Sequence, residues 1–296
     1  MNRTKLLAVT HSGVFHADEV MASVILREIY DEVKIIRSRD PRDFASADIV
    51  YDVGDGEFDH HSDNKEYRET GIPYSACGLV WRAYGHEVVK KRGPNLTSDQ
   101  VDEVFYSIDE GIIESIDATD NGFPMVQSEI HMPTVDQMVK GFNPNWNSQE
   151  DPEEQFKKAI DFCTPILCNA VDGSIAAIEA ETMVKQSFED REVENILILD
   201  RFCPWKRHLR RYDEEGHIIY VIFKDLVNGY RIQAVSEADS RESIKPFPRE
   251  WAGKDADEIN ALVDIDDAIF VHPGRFIAGA GSLNSAVKMA ELALIY

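Results

Sequence analysis

The stretch Tyr51 to His61, YDVGDGEFDHH, constrains this chain more than any other. The apolar run Ile49-Val50-Tyr51 reads as a short strand that delivers Asp52 at its carboxyl end. A turn through Gly54 and Gly56 then brings a second acid–imidazole set, Asp59-His60-His61, back alongside it. Glycine takes positive φ without steric cost, so two ligand sets a few residues apart can converge on one point. Carboxylate beside imidazole suits Mn, Fe, Co or Zn, and the set lacks the thiolates of a structural zinc site. For one Asp–His pair, a solvated acidic turn is the plain alternative. Adjacent histidines, placed glycines and a matching cluster upstream favour a metal site.

The upstream cluster follows the first strand. Leu6 to Thr10 has a buried-strand pattern and runs into HSGVFHAD, which holds His11, His16 and Asp18. A helix follows, with Val20, Val24, Ile25 and Ile29 at helical spacing. Such a strand–loop–helix unit puts loop side chains at the carboxyl edge of a parallel sheet, where α/β proteins bind ligands. Val33 to Ile36 predicts a second strand, with Arg37, Arg39 and Arg42 in the loop after it, and residues 48–53 predict a third. An amphipathic helix is expected from Tyr74 to Val89, with Ser75 polar in its first turn. Another runs from Ser98 to Ile116 and ends at Asp117-Ala118-Thr119-Asp120-Asn121-Gly122. Two carboxylates there meet the negative end of the helix dipole, which a bound cation would relieve. Ordinary Asn-Gly turn chemistry is the competing explanation.

Further on, residues 122–151 read as an irregular lid or binding loop. Glu153 to Asp190 reads as a long helical run interrupted around Asp172-Gly173. Strands are expected at 195–199, 217–223, 230–235 and 268–271 from their β-branched content. His272-Pro273-Gly274-Arg275-Phe276 and the glycine-rich Ala278 to Ser282 then precede a final helix from about Asn284 to Leu294. Arg275 with the Gly279 and Gly281 amides would suit an anion, although close strand–helix packing also uses glycine. Lys206, Arg207, Arg210 and Arg211 form a basic island, either a phosphate contact or a solvated face.

A net charge of −23 argues against a protein that coats polyanions, but not against one whose carboxylates are offset locally by divalent ions. The 43% hydrophobic content supports a core, while no apolar run reaches the length of a membrane span. Four cysteines without CxxC spacing read as reduced thiols. The run Leu6-Leu7-Ala8-Val9 is too short for the apolar region of a signal peptide. A cytoplasmic chain with no membrane partner is the expectation.

With these residues in view, the chain resembles the DHH phosphoesterase superfamily, whose name-giving triplet matches Asp59-His60-His61. More closely it resembles the melanocyte-proliferating-gene (MYG) exonuclease family. The matches run in order through THSGVFHADE, YDVGDGEFDHH, SACGLVW, DATDNG, FNPNW, CPWK and FIAGA. Superfamily members usually carry Asp where His16 stands.

The resemblance implies an α/β fold. A parallel-sheet DHH-type catalytic domain (residues 1–150) would be followed by a helical linker (151–192) and a smaller α/β substrate-binding domain (193–296), with the active site in the interdomain cleft. It implies two divalent ions, Mn first, with Mg, Co or Zn as alternatives. One ion would take His11, His16 and Asp52, the other Asp18, Asp52, His60 and Asp120. Asp117 is the alternative to Asp120, or orients a histidine. Asp52, Asp59 and His61 would be catalytic, with His61 on the scissile phosphate. Arg275, Gly279, Gly281, Lys206 and Arg207 would hold substrate. The implied activity is 3′→5′ exonuclease cleavage of RNA or short oligonucleotides, in a chain that could form a homo-oligomer. The alternative is a small-molecule phosphohydrolase acting on pyrophosphate, a nucleotide or a cyclic dinucleotide.

Overall fold

A computed structural model describes residues 5–61, 65–123, 130, 132–237, 240 and 242–296. The chain is α/β and divides into two compact units, residues 1–175 and 176–296.

The first unit is built on three parallel strands, β1 (Lys5–Thr10), β2 (Glu32–Arg37) and β3 (Ile49–Val50), in the order β2-β1-β3. Ala8, Val9 and Thr10 of the central strand are fully buried, as parallel strands covered on both faces require. Helix α1 (Ala17–Ile29) follows β1, and Val20, Met21, Ala22, Val24, Ile25 and Leu26 in it are all buried. A helix apolar on every side belongs in a core. After β2 comes the short α2 (Pro41–Ser46), which opens on Pro41 with Asp40 as its cap.

Strand β3 is shorter than the sequence expects. It stops because Asp52 takes φ 56°, leaves the extended region, and gives its N–H to the Phe58 carbonyl at 2.9 Å. Gly54 follows at φ 90°, where a Cβ would stand 3.2 Å from the Phe44 ring. Chain reversal and close approach together demand glycine here.

Helix α3 (Ala76–Arg92) packs against α1. The helix expected over 98–116 is three pieces: α4 (Ser98–Ile108), a π-helical turn (Asp109–Ile113) and α5 (Glu114–Asp120). It therefore continues past Asp117, and the π turn rotates α5 relative to α4. Within the stretch expected to be irregular lies a helix, α6 (Val135–Lys140), opened by a Thr134–Gln137 capping box. Residues 124–129 and 131 of that stretch lie outside the described residues. Helix α7 (Pro152–Glu189) contains Pro165 and runs unbroken through Asp172-Gly173, where the sequence suggests an interruption. One glycine costs a helix only about 1 kcal/mol, and Asp172 beside it is held by Arg92 at 2.8 and 2.6 Å.

The second unit carries a five-stranded mixed sheet ordered β4-β5-β6-β8-β7. Its elements in chain order are β4 (Ile196–Leu199), α8 (Trp205–Tyr212), β5 (Tyr220–Lys224), β6 (Tyr230–Ala234), α9 (Ala256–Val263), β7 (Ala268–Val271), β8 (Ile277–Ala280) and α10 (Leu283–Ile295). Only β4 and β5 are parallel; the other pairs are antiparallel. Ile222, Ile232, Phe247, Trp251 and Met289 lie in its core. Among the described residues, no helix is long and apolar enough to cross a membrane.

Candidate metal centre

The carboxyl ends of β1 and β3 lie side by side, because Ala8 and Val9 pair with Ile49 and Val50. Thr10 therefore hands the chain to His11 next to the point where Tyr51 hands it to Asp52. This is the sheet edge at which open α/β folds bind ligands.

His11 Nε2 lies 3.1 Å from Asp52 Oδ2 and 2.9 Å from Glu19 Oε1. His60 Nε2 lies 3.1 Å from Asp52 Oδ1, 3.4 Å from Asp120 Oδ2 and 3.6 Å from Asp18 Oδ2. Four overlapping groups have ligand atoms within 4.8 Å of one another: His11-His16-Glu19, Asp52-His60-His61, His16-Asp18-Asp120 and Asp18-Glu19-Asp52. All six side chains expected as metal ligands belong to these groups. A cavity of about 840 Å³ opens onto them and is lined by His11, His16, Asp52, His60, His61 and Asp120, among others.

The electrostatics divide the acids. Burial works against the Asp52 charge, but the hydrogen bonds and charge of His11 and His60 outweigh it and hold the carboxyl at about 2. Burial likewise works against the His11 cation, yet Asp52 and Glu19 lift it to about 10. Asp18 is different. Burial first, then the charges of Asp52, Glu19 and Asp120, raise its carboxyl well above the usual range. Both of its oxygens are buried without a hydrogen-bond partner among the described residues, and so is His60 Nδ1. A buried polar group without a partner is costly and calls for an explanation. Buried carboxylates crowded around imidazole fit a divalent cation, which would bring Asp18 the charge and the bonds it lacks.

The loops that carry these groups are tied down by Glu19, by Asn143 and by Arg37, which ends β2 rather than lying in the loop after it. Glu19 itself is fully buried, and its Oε2 accepts the His16 N–H at 3.0 Å, closing the first turn of α1. A capping-box glutamate three residues after His16 was the available sequence signal. Arg37 donates to the Gly13 carbonyl and lies over the Phe15 and Phe156 rings at 5.2 and 4.7 Å. Asn143 grips Phe15 from both sides: its Oδ1 accepts the Phe15 N–H at 2.9 Å and its Nδ2 donates to the Phe15 carbonyl at 2.8 Å. The loop between His11 and His16 is thus pinned from β2 and from the turn after α6.

Asp59 and Asp117 have other partners. Asp59 accepts the Asp55 and His61 N–H groups at 2.8 and 3.1 Å, and its Oδ1 lies 2.9 Å from His61 Nδ1. It shapes the turn and orients His61, whose side chain is 61% exposed. Asp117 faces away from the cluster. Its Oδ1 accepts from Ser75 N, Ser75 Oγ and Gly78 N at the start of α3, and its Oδ2 accepts from Arg68. It touches none of the histidines of the cluster; Asp120, one turn on, is the carboxylate that enters the cluster.

The remaining expected residues lie in the second unit. Lys206, Arg207, Arg210 and Arg211 are on α8, where Arg210 donates to the Glu237 carbonyl at 3.3 Å and Arg211 pairs with Glu181 at 2.5 Å. Arg275 sits in a turn at φ 59°, and its Nη1 donates to the Phe247 carbonyl at 3.1 Å. The expected glycine-rich anion loop is instead strand β8. Gly279 pairs with Arg231 and Phe270 inside the sheet, and the Gly281 amide donates to the Asp267 carbonyl at 2.7 Å. A Cβ on Gly279 would stand 2.9 Å from the Phe270 ring, so close packing is what selects glycine there.

Fold and site together define an α/β protein whose parallel-sheet edge carries an acid–histidine centre suited to divalent cations. A family profile named MYG1_exonuc, described as "Uncharacterised protein family (UPF0160)", matches residues 7–294. The chain belongs to that family. It is 33% identical over 317 residues to a MYG1 protein of Schizosaccharomyces pombe, covering 96% of each chain. It is 31% identical over 334 residues to a Homo sapiens protein named MYG1 exonuclease, covering 99% of this chain and 88% of that one. No solved structure matches the chain.

Proposed function

We propose that the chain is a divalent-metal-dependent phosphodiesterase of the DHH type, removing nucleotides from the 3′ end of RNA or short oligonucleotides. One observation carries the metal dependence: Asp18, 1% exposed, has two buried oxygens without a hydrogen-bond donor among the described residues, set against the charges of Asp52, Glu19 and Asp120. His11, His16, Asp18, Asp52, His60 and Asp120 would hold the cations, with Glu19 buried against His11. Manganese leads the candidates, because mixed carboxylate–imidazole sets suit it. Divalent cations in such a site supply a nucleophile at neutral pH and offset the charge of the phosphate.

The protein's own groups set the geometry. Asp52 is the carboxylate shared between His11 and His60, so it joins the two halves of the site. With Nδ1 donating to Asp59, His61 offers Nε2 to the cavity, where a proton on it would bond a phosphate oxygen and steady the charge that develops. Support for exonuclease action comes from the name MYG1 exonuclease carried by mammalian relatives. The 3′→5′ direction rests on the family resemblance.

The test is a hydrolysis panel with and without Mn after chelation, on 3′- and 5′-labelled RNA, short oligonucleotides, cyclic dinucleotides and pyrophosphate. Stepwise shortening from the 3′ end, abolished by chelator and by Asp52→Asn, is the expected result. Hydrolysis of pyrophosphate alone would replace this reading with the small-molecule one.

A further inference from the structure

We propose that the cavity over the acid–histidine cluster continues into a track for a single nucleic-acid strand, with Arg39, Lys65 and Lys140 on flanking phosphates and Trp146 stacked on a base. The proposal rests on the phosphodiesterase reading for the chemistry at the cluster, but the track is a separate claim about binding.

Arg39 follows β2, Lys65 follows the Asp59-His60-His61 turn, and Lys140 ends α6, yet all three line the cavity that holds the cluster. All three are exposed in a chain of net charge −23. Among the described residues each is held at one point: Arg39 Nε on the Ser12 carbonyl at 3.3 Å, Lys65 on Asn121 at 3.4 Å, and Lys140 on Asp136 at 2.8 Å. The partners of Arg39 and Lys65 are uncharged, which leaves those two charges to act on something outside the protein, while Lys140 shares its charge with Asp136. The cavity, about 840 Å³, is near the upper end of the range for ligand sites. A lone phosphate or pyrophosphate would not fill it.

Trp146 supplies the second, independent observation. It is 96% exposed, whereas Trp81, Trp205 and Trp251 are 0%, 2% and 1% exposed. Turns fix its loop: Phe142 N bonds the Val139 carbonyl, Asn143 N the Lys140 carbonyl, and Ser148 N the Asn145 carbonyl. Asn143 grips Phe15, which stands between Val14 and His16 on the cavity wall. Three residues of chain span at most about 11 Å, which bounds how far Trp146 can lie from Asn143 and so from the loop on the cavity wall. An exposed indole on a fixed turn, six residues after Lys140, offers a stacking platform for a base, and such platforms tolerate any sequence.

The experiment measures fluorescence anisotropy of labelled single strands, RNA and DNA of one sequence, carrying phosphorothioate linkages, with Mn and over a salt series. Arg39→Ala, Lys65→Ala and Lys140→Ala should each weaken binding and lower the salt slope by about 0.7 per cation. Trp146→Ala should weaken binding roughly tenfold with the slope unchanged, and Trp146→Phe should recover most of that loss. Strand binding should quench tryptophan emission in the wild type, and Trp146→Ala should remove the quench. On a cleavable strand, the KM rise in these variants should exceed the rise on a mononucleotide ester. Equal binding of both strands supports a track that reads phosphate and base alone; preference for RNA supports added contact with the 2′-hydroxyl. Variants that bind like wild type, or no binding of either strand, overturn the proposal. Binding with the expected salt slopes but no hydrolysis with any metal would leave the track standing and remove the phosphodiesterase reading.

Discussion

Asp117 and Asp120 are three residues apart on one helix, both in a sequence that could make either a ligand, and the structure gives them opposite surroundings. Asp117 is fully buried and saturated: Ser75, Gly78 and Arg68 bond its two oxygens, and Arg68 is also held by Asp109 at 2.5 and 2.9 Å. Asp120 reaches the other way, into a cluster where both Asp18 oxygens are buried among other carboxylates, with His60 Nε2 3.6 Å from one of them. Buried charge is tolerable when every lone pair is met, and costly when it is not. The saturated cluster is therefore architecture, joining the start of α3 to α5. The unsaturated one has the donor set to hold divalent cations.

The largest effect that could break this contrast is on turnover. Asp52→Asn should cut activity by on the order of a thousandfold or more, about 4 kcal/mol of barrier. A variant keeping more than about a tenth of activity would have lost under 1.4 kcal/mol, too little for the carboxylate that joins both halves of the site. The paired test on α5 comes next. Asp117→Ala leaves Ser75, Gly78 and Arg68 Nε without their buried acceptor and should cost roughly 1–3 kcal/mol of stability with or without metal. Asp120→Ala should instead abolish Mn-dependent stabilisation in thermal scans, while the chelated protein melts at or above the wild-type temperature. That direction follows because burial, with Asp52 and Glu19 nearby, raises the Asp120 carboxyl despite His60. If both variants behave alike, the division into architecture and site is wrong.

Gly78→Ala sharpens the architectural half. A Cβ there would stand 2.1 Å from Asp117 Oδ2, so the network must shift, at a cost of roughly 1–3 kcal/mol by denaturant unfolding.

The smallest effect is in pH. His11 is held at about 10 in the metal-free fold, above its ordinary 6.5. Such a group stabilises fully below its unfolded value, and that contribution is lost as pH rises through the folded one. The melting temperature with chelator should accordingly fall from neutral pH towards 10, and His11→Gln should flatten the fall. Mn affinity should climb across the same window, because His11 must give up its proton to bind metal. Titration calorimetry in buffers of different ionisation heat would detect the released protons.

Much of the first unit could be read from the chain alone. The runs ending at Thr10 and Tyr51 are apolar strands closed by polar loops, and that local pattern placed His11, His16, Asp18, Asp52 and His60 at strand ends. The carboxylates of 117–122 could not be sorted the same way. Their direction depends on the π turn and on Arg68, a contact across more than forty residues. Helix α6 was hidden by the prolines and asparagines around it, although its capping box was legible. The glycines of β8 misled for a related reason: glycine marks close approach, but not whether the neighbour is an anion or the Phe270 ring.

What the sequence determined by itself is the chemistry: which strands end in imidazole and carboxylate, and that six such side chains suit a divalent cation. These properties are carried by residue type and short-range periodicity, which need no partner to be read. Only the tertiary structure decided which acids are satisfied and which are not. It made Glu19 part of the cluster through its contact with His11, made Asn143 the clamp on the Phe15 loop, and turned Asp117 away from the site. Each of these depends on a hydrogen bond or ion pair set by how elements pack, and packing joins residues that are distant in the chain.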